Sequence, residues 1–272
     1  MIDRFALNQA TTKYWPLDEL VAGCADAGVR AVGLWREEIQ EYGVQKAAAL
    51  VHDAGLTVSS LCRGGFFDKP DWYDENRRAL DEAAALGAPS LVLVSGGLSD
   101  GSRDVDAARA HIGEAIGRLV PHALSVGVRL AIEPLHPMFC SDRCVVSSLG
   151  QALDLAAPHP AEAVGVVIDT YHLWWDDQVW TLIARAGQER RIACFQLADW
   201  ITPLPEGVLL GRGLPGTGCI ELGRFAEAVD AAGYDGFIEV EVFHADVWAR
   251  PGAAVLADAI AGYQAIVSSG RS

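Results

Sequence analysis

Short apolar runs alternate with longer amphipathic runs from one end of this chain to the other. The apolar runs are rich in Val, Ile and Leu and predict β-strands, whereas the runs between them have the spacing of helices. The predicted strands cover residues 5–8, 29–34, 56–62, 90–95, 129–133, 165–169, 192–197 and 237–242. The predicted helices cover residues 17–27, 45–54, 72–86, 105–126, 148–156, 180–186, 222–232 and 254–267.

A strand is followed by a helix about eight times within 272 residues. This alternation predicts an α/β fold, a single (β/α)8 TIM barrel. A doubly wound open sheet is the alternative. It usually has fewer units and a glycine-rich phosphate loop after its first strand, and no such loop follows residues 5–8 here. No linker interrupts the alternation, so we expect one domain that spans residues 1–272.

Charge and composition exclude several classes of partner. The formal net charge is −15, whereas nucleic-acid-binding proteins need a basic surface, so no nucleic-acid partner is expected. No apolar run approaches the roughly 18 residues of a membrane-spanning helix, and the N-terminus lacks a signal-peptide pattern. The six cysteines form no CxxC pair and several lie in apolar strand-like runs, so we expect mostly buried thiols in a reducing cytoplasm. No membrane partner is expected.

The predicted strand over residues 165–169 runs without polar alternation into Asp169, and His172 follows three residues later. Such a strand is covered on both faces, as in a parallel sheet, so Asp169 lies at its carboxyl end. Ligands bind at that edge in α/β proteins. The alternative is that Asp169 only caps the following segment, since Asp is a favoured N-cap residue. This stretch alone leaves both interpretations open.

A barrel brings the carboxyl ends of all its strands to one face, so polar residues at those ends should meet. Such residues at or just past the last four strands are Glu133, His136, Asp169, His172, Gln196, Trp200, Glu239 and Glu241. The strand period places Glu239 and Glu241 on the same face. Glu241 lies nearer the mouth of the barrel and is therefore the better candidate for a ligand.

Several carboxylates in one place need a positive charge to neutralise them. A divalent metal ion is the preferred explanation, because three carboxylates and an amide suit Mn²⁺ or Mg²⁺ better than Zn²⁺. The predicted ligands are Glu133, Asp169, Gln196 and Glu241. The alternative is a salt-bridge network. Its candidate cations are Arg63, Arg143 and Arg212.

Four further candidates each have a structural alternative. His136 suits an acid/base role, or it is a loop residue that bonds to the backbone. His172 suits contact with a substrate, or it packs at the start of a helix. Arg212 lies in the Gly-rich loop 211–218, which favours function over a solvated charge. Trp200 belongs to a set of aromatic residues in βα loops that either pack or form a wall for a sugar ring.

Four motifs in this order resemble the xylose isomerase-like TIM-barrel superfamily of sugar isomerases and epimerases (the sugar phosphate isomerase/epimerase family). They are Ile132-Glu133-Pro134, Asp169-Thr170-Tyr171-His172, Arg212 with Pro215-Gly216-Thr217-Gly218, and Gly233-Tyr234-Asp235-Gly236 with Val240-Glu241. By resemblance to ketose 3-epimerases, Glu133 and Glu241 are ligands and bases and Asp169 is a ligand. The resemblance also implies that His172 and Arg212 bind a sugar or cyclitol, and that the protein is a homo-oligomer, a dimer or tetramer.

Two positions depart from the epimerase pattern. The ligand on strand seven is usually His, but here it is Gln196, as in the dehydratase branch of the superfamily. Ketose epimerases also carry a Glu six residues after the first one, where this chain has Phe139. The loop over residues 133–137 instead resembles lyase-type members, including subunits that β-eliminate 3-oxo-C-glycosides.

The chemistry implied by the resemblance is metal-assisted removal of a proton beside a carbonyl, through an enediolate. We expect an isomerase or epimerase. A lyase or dehydratase that uses His136 or His172 as a proton donor is the alternative. A sugar-binding barrel without turnover is the third interpretation, because Gln196 stands where His is usual.

Overall fold

The centre of the protein is a closed barrel of eight parallel strands, seen in a computed structural model that describes residues 2–99, 101–205 and 207–269. The strands in chain order are β1 Phe5–Asn8, β2 Ala31–Trp35, β3 Thr57–Gly65, β4 Ser90–Val94, β5 Arg129–Ile132, β6 Val164–Asp169, β7 Ile192–Leu197, β8 Asp199–Trp200, β9 Arg212–Gly213 and β10 Ile238–Val240. The barrel order is β1-β10-β7-β6-β5-β4-β3-β2, and β8 pairs with β9 outside it. The predicted (β/α)8 barrel is confirmed.

Helices surround the barrel and end close to their predicted bounds. They are α1 Leu17–Asp26, α2 Arg36–Tyr42, α3 Val44–Asp53, α4 Trp72–Leu86, α5 Val105–Val126, α6 Leu149–Ala156, α7 Thr170–Leu173, α8 Val179–Gln188, α9 Leu222–Ala231, α10 Ala245–Trp248 and α11 Gly252–Ser269. Among the described residues, no helix has the length and apolar character needed to cross a membrane. The helices α2, α7 and α10 were not predicted, because segments this short carry little periodicity.

Glycine ends two of the long helices as the sequence predicts. Gly87 and Gly127 follow α4 and α5 with φ values of 70° and 69°, in the left-handed region that glycine adopts without a steric penalty. Each donates its backbone N–H to carbonyls of the last turn, so the helix ends are satisfied. The chain then turns directly into the next barrel strand.

Two apolar clusters hold the barrel together. The larger one lies between the strands and the surrounding helices, and all six residues of β6 are buried. The smaller cluster fills the barrel interior, where side chains alternate with those that face the helices. It consists of Cys62, Val92, Ala131, Val167 and Cys194. This packed interior closes the barrel below its carboxyl end and forms the floor of the candidate site.

A two-stranded hairpin extends the barrel at its carboxyl end. In this hairpin Asp199 pairs with Gly213 and Trp200 pairs with Arg212. Asp199 also fixes the loop that follows, because its Oδ2 atom accepts hydrogen bonds from the backbone N–H of Gly216 and Gly218 at 3.1 and 2.8 Å. This one carboxylate therefore holds the position of β9 over the barrel mouth.

Candidate metal and active site

Three carboxylates lie together at the carboxyl ends of the barrel strands. Glu133 follows β5 directly, Asp169 is the last residue of β6, and Glu241 follows β10. They are buried, with relative exposures of 5, 0 and 2%. Closure of the barrel thus brings three of the four predicted ligands from distant parts of the chain into one region.

Arg212 supplies a positive charge to two of these carboxylates. Its Nη1 atom donates to Asp169 Oδ2 at 3.1 Å and to Glu241 Oε2 at 2.6 Å. The guanidinium lies 5.1 and 4.6 Å from the ring centroids of Tyr171 and Phe243, which shield it from water. Such cation–π contacts and buried ion pairs fix the side chain in one position. The salt-bridge interpretation from the sequence is therefore realised in part, through Arg212.

Asp169 caps the following helix, as one interpretation of its sequence position suggested, and its other oxygen faces the candidate site. Its Oδ1 atom accepts a hydrogen bond of 2.7 Å from the backbone N–H of Tyr171 and caps α7. Its Oδ2 atom points to Arg212 and lies 3.9 Å from His172 Nε2. The cap orients the carboxylate, so the second oxygen is held at the mouth of the barrel.

Gln196 is the candidate ligand whose side chain lacks partners. It lies on β7, where it pairs in register with Asp169 on one side and Glu239 on the other. Its side chain is buried, and neither its amide oxygen nor its amide nitrogen has a hydrogen-bond partner among the described residues. Leaving such a group unpaired costs roughly 1–3 kcal/mol. This amide oxygen, like the three carboxylates, is a hard donor of the kind that Mn²⁺ and Mg²⁺ prefer.

Whether His172 can bind a metal depends on which of its two ring nitrogens carries the proton. Glu133, Asp169 and His172 have possible ligand atoms within 4.8 Å of one another, so distances alone admit it. However, His172 Nδ1 accepts a hydrogen bond from the backbone N–H of His136 at 3.1 Å. Burial, followed by the charge of Arg212, lowers the pKa of His172 well below 6.5, so the neutral ring has one lone pair. That lone pair is on Nδ1, and Nε2 is a donor.

The guanidinium of Arg212 is in close contact with the imidazole ring of His172. Arg212 Nη2 lies 3.0 Å from His172 Nε2. A guanidinium has only donors, and Nε2 carries the ring proton while Nδ1 accepts from the backbone. The single lone pair of the neutral ring thus serves one of the two donors, and a hydrogen bond from Arg212 to Nε2 requires the other tautomer.

A small cavity of about 40 Å³ opens at this cluster. Of the predicted site residues, those that line it are Glu133, His172, Arg212 and Glu241. Asp169 and Gln196 lie in the wall behind them and are fully buried. A larger chamber of about 590 Å³ lies outside it and shares several of its lining residues, including Trp35 and Phe243.

His136 and Trp200 are not among the residues that line the inner cavity. The Nδ1 atom of His136 accepts from the backbone N–H of Met138 at 3.3 Å, so the backbone-bonded interpretation of this loop residue is realised. Its ring lies 5.3 Å from the ring of Trp200. Trp200 in turn stacks on Tyr171 at 4.8 Å, and Tyr171 packs against Arg212. Both residues thus lie behind those that face the cavity.

Sequence reasoning missed five of the residues that line the inner cavity, among them one thiol and one aromatic ring. Cys62 and Phe243 line it, and Cys62 Sγ lies 3.9 Å from Glu241 Oε1. Cys62 was classed as a small buried hydrophobic residue, although it precedes Arg63 at the carboxyl end of β3. Phe243 follows Glu241 by two residues, and this same-face spacing was the available signal.

Burial makes the two glutamates unusually weak acids. It raises the pKa of Glu133 well above 4.5, and the charges of Glu241 and Asp169 raise it further. It also raises the pKa of Glu241 to about 7, although Arg212 opposes the shift. A carboxyl group with a pKa near neutrality can take up and return a proton at physiological pH.

These shifts predict how the stability of the metal-free protein depends on pH. The folded protein holds protons on Glu133 and Glu241 that the unfolded chain releases above about pH 4.5, so its free energy of unfolding falls as pH rises. Histidines with lowered pKa, such as His136 and His172, act in the opposite sense, but only below about pH 6.5. Between pH 6.5 and 8 we expect a loss on the order of 1–3 kcal/mol.

Denaturant unfolding in a chelator at several pH values measures this loss. The variant Glu133→Gln, which has no ionisable group at this position, should show a flatter pH dependence than the wild type. A wild-type stability that stays constant or rises between pH 6.5 and 8 would contradict the prediction.

Comparisons with known proteins agree with the fold. The family model described as "Xylose isomerase-like TIM barrel" matches residues 21–264. No curated protein matches the chain. The crystal structure of protein SMc04130 from Sinorhizobium meliloti 1021 is similar with a TM-score of 0.94 and 42% identity, and the match covers 98% of this chain and 99% of that one.

Two more distant structures share the fold. The IolI protein with a bound zinc atom has a TM-score of 0.83 and 19% identity, with 99% of each chain covered. L-ribulose 3-epimerase has a TM-score of 0.77 and 16% identity, with 99% of this chain and 96% of that chain covered. At these identities the likeness concerns the fold.

Proposed function

We propose that this chain, which belongs to the xylose isomerase-like TIM-barrel family, is a divalent-metal-dependent sugar isomerase or epimerase. Its substrate is a keto-sugar or cyclitol that reacts through an enediolate. The observation that carries the proposal is the buried cluster of Glu133, Asp169 and Glu241 beside the unpaired amide of Gln196. Family membership and the epimerase neighbour support the same class of reaction.

The proposed metal ligands are the oxygen atoms of Glu133, Asp169, Gln196 and Glu241, and Mn²⁺ or Mg²⁺ is the expected ion. When bound, the ion would supply positive charge that stabilises the oxyanion of the substrate. Asp169 is already oriented for this role by its cap on α7. Gln196 gains a partner for an amide that otherwise has none.

Glu133 and Glu241 are the proposed acid and base. Whichever carboxylate is ionised removes the proton from the carbon beside the carbonyl, and the protonated partner can return one at another face or carbon. His172 donates a hydrogen bond from Nε2 to a substrate oxygen, and Arg212 donates one to a neighbouring hydroxyl or carbonyl oxygen once it leaves the carboxylates.

The roles proposed for His136 and Trp200 are indirect. The backbone N–H of His136 holds His172 in the donor tautomer. Its Nδ1 atom accepts from the backbone, so in the neutral ring Nε2 carries the proton and can donate a hydrogen bond. Trp200 supports Tyr171, which packs against Arg212 and so helps to position this substrate-binding residue.

A metal-dependent lyase or dehydratase is the second candidate. The observation that favours it is the Nε2–H of His136, which can donate a hydrogen bond to a leaving group that takes its proton from protonated Glu241. Phe139, which stands where ketose epimerases carry a Glu, packs with its ring 5.8 Å from that of His172. The substrate would be a keto compound such as a 3-dehydroshikimate-, inosose- or 3-oxo-glycoside-like molecule.

Domain extent and assembly belong to the same proposal. Residues 1–272 are proposed to form one domain, because the barrel uses strands from Phe5 to Val240 and a helix that follows them. A cytoplasmic dimer or tetramer is proposed from the resemblance to the superfamily. Light scattering of the purified protein tests the assembly.

Proton exchange in deuterium oxide tests the proposed reaction. We expect the Mn²⁺-loaded protein to place deuterium beside the carbonyl of at least one ketose or inosose, with the carbon skeleton and all oxygens retained in the NMR spectrum. Loss of water or of an aglycone from 3-dehydroshikimate or a 3-oxo-glycoside would favour the lyase. Binding of Mn²⁺ and substrate without exchange would indicate a barrel without turnover, and the enzyme proposal would be wrong.

A further inference from the structure

Two arginines stand at the junction between the inner cavity and the outer chamber. Arg63 follows Cys62 near the end of β3, and Arg143 lies in the turn before Cys144. Both line the inner cavity and the outer chamber. We propose that they bind an anionic group, a phosphate or a carboxylate, at the end of the substrate remote from the reacting carbon. This inference rests on the proposed function and names its substrate class.

Arg63 is held in place without a strong acidic partner. Its guanidinium lies 5.3 Å from the ring centroid of Trp35 and 4.9 Å from that of Phe66, so two aromatic rings fix it. Its ion pair with Glu37 is long, at 3.4 Å, and that carboxylate is 57% exposed. The Nε atom is buried and has no hydrogen-bond partner among the described residues. The guanidinium of Arg63 is thus fixed in position, but its Nε–H has no acceptor. An incoming anion supplies one.

The positive charge of Arg143 is balanced by even fewer contacts than that of Arg63. Within the described part of the chain its guanidinium makes no hydrogen bond and no ion pair with a carboxylate. Its backbone is fixed, because its N–H donates to the carbonyl of Phe139 and the next residue, Cys144, bridges to Gly96. Partial burial lowers the pKa of Arg143, and the nearby charge of Arg63 lowers it further. An anion between the two arginines relieves their mutual repulsion.

The charges are arranged so that a substrate has one preferred direction. Carboxylates occupy the inner end of the site, at Glu133 and Glu241, and the two arginines occupy its outer end. The outer chamber also contains Lys13, together with Glu37 and Glu38. The protein as a whole has a net charge of −15, so it does not attract anions in general. Affinity for an anion therefore requires this local pair.

Size places the anionic group outside the inner cavity. A volume of about 40 Å³ holds at most a few water molecules, whereas about 590 Å³ is available in the outer chamber. The reacting carbon and its carbonyl belong at the inner end beside Glu133. The phosphate or carboxylate then lies beyond the aromatic ring of Trp35, within reach of Arg63 and Arg143.

Calorimetric titration of the full-length, metal-free protein tests the anion site without any turnover. The three probes differ only at one end: glycerol, glycerate and glycerol 3-phosphate. We expect one or both anions to bind at least about tenfold more tightly than glycerol, and their order identifies carboxylate or phosphate. Arg63→Gln and Arg143→Gln should each lose at least about tenfold in affinity, the scale of one charge-assisted contact. The control Arg30→Gln, at an exposed position before β2, should bind like the wild type.

Equal binding of all three probes, or wild-type affinity in both arginine variants, would overturn the anion site even if the enzyme exchanges protons. A second measurement compares dihydroxyacetone with its phosphate in the Mn²⁺-loaded exchange assay. We expect Arg63→Gln and Arg143→Gln to raise KM for the phosphate ester at least about tenfold more than for the neutral compound. Equal losses on both would also refute the inference. If no proton exchange is seen but the anions bind as expected, the proposed reaction is wrong and the anion site is still supported.

Discussion

Replacing Glu133 or Glu241 with Gln is expected to lower the rate of proton exchange by about a thousandfold while the barrel stays folded. The proposed base is removed in either variant, and general acid–base catalysis contributes roughly 10²–10⁴-fold. Each variant also loses a metal ligand, so its affinity for Mn²⁺ should fall. The measurement is exchange at saturating Mn²⁺, with metal affinity from calorimetry, so that the loss of the base is separated from the loss of the ion.

The matched control for this prediction is Glu239→Gln. Glu239 lies on β10, two residues before Glu241, and is also buried, but it accepts a hydrogen bond from Asn8 at 3.0 Å and does not line the cavity. A Gln side chain can keep that bond through its amide oxygen. We expect this variant to retain exchange within about tenfold of the wild type. Exchange in Glu133→Gln and Glu241→Gln as fast as in this control would show that neither carboxylate is the base.

Replacing Arg212 with Met is expected to tighten Mn²⁺ binding and to slow exchange by at least about a hundredfold. The guanidinium neutralises Asp169 and Glu241, so a metal ion that binds these carboxylates must displace it. Without Arg212 the carboxylates repel one another, and the metal-free variant should lose about 3 kcal/mol of stability, the cost of breaking a buried pair. Metal binding relieves this repulsion, so Mn²⁺ should raise the Tm of the variant more than that of the wild type.

The control for this prediction is Arg212→Lys, which keeps one positive charge near the carboxylates. We expect its Mn²⁺ affinity to stay near that of the wild type, although Lys cannot reproduce the two-sided contact of a guanidinium. Slower exchange in Arg212→Met despite tighter metal binding would distinguish a substrate contact from a metal ligand. Weaker Mn²⁺ binding in the Met variant would contradict the idea that arginine and metal compete for the same oxygens.

The sequence was sufficient to predict the barrel because its elements are strongly periodic and clearly bounded. β6, for example, is apolar throughout until Asp169, and α5 ends at the predicted residue, where Gly127 follows. The positions of Glu133, Asp169 and Glu241 at strand ends then follow from the fold. The sequence alone therefore predicts that three of the four candidate ligands lie close together.

The contacts within the site could not be predicted in the same way, because they depend on the loops. Nothing in the local sequence shows that β9 pairs with β8, yet this hairpin brings Arg212 onto Asp169. The tautomer of His172 depends on a backbone N–H from His136, 36 residues away. The direction of a loop side chain is set by tertiary contacts that periodicity does not encode.

The attachment of the hairpin through Asp199 has a consequence for how this protein can diverge. Because that carboxylate binds backbone N–H groups after β9, Arg212 has an anchor that does not involve the side chains of residues 201–211. That segment contributes Leu209 and Leu210 to the outer chamber. Mutations there can reshape the space available to the substrate while the catalytic end stays intact. A descendant lineage can thus acquire a new specificity without first losing its chemistry.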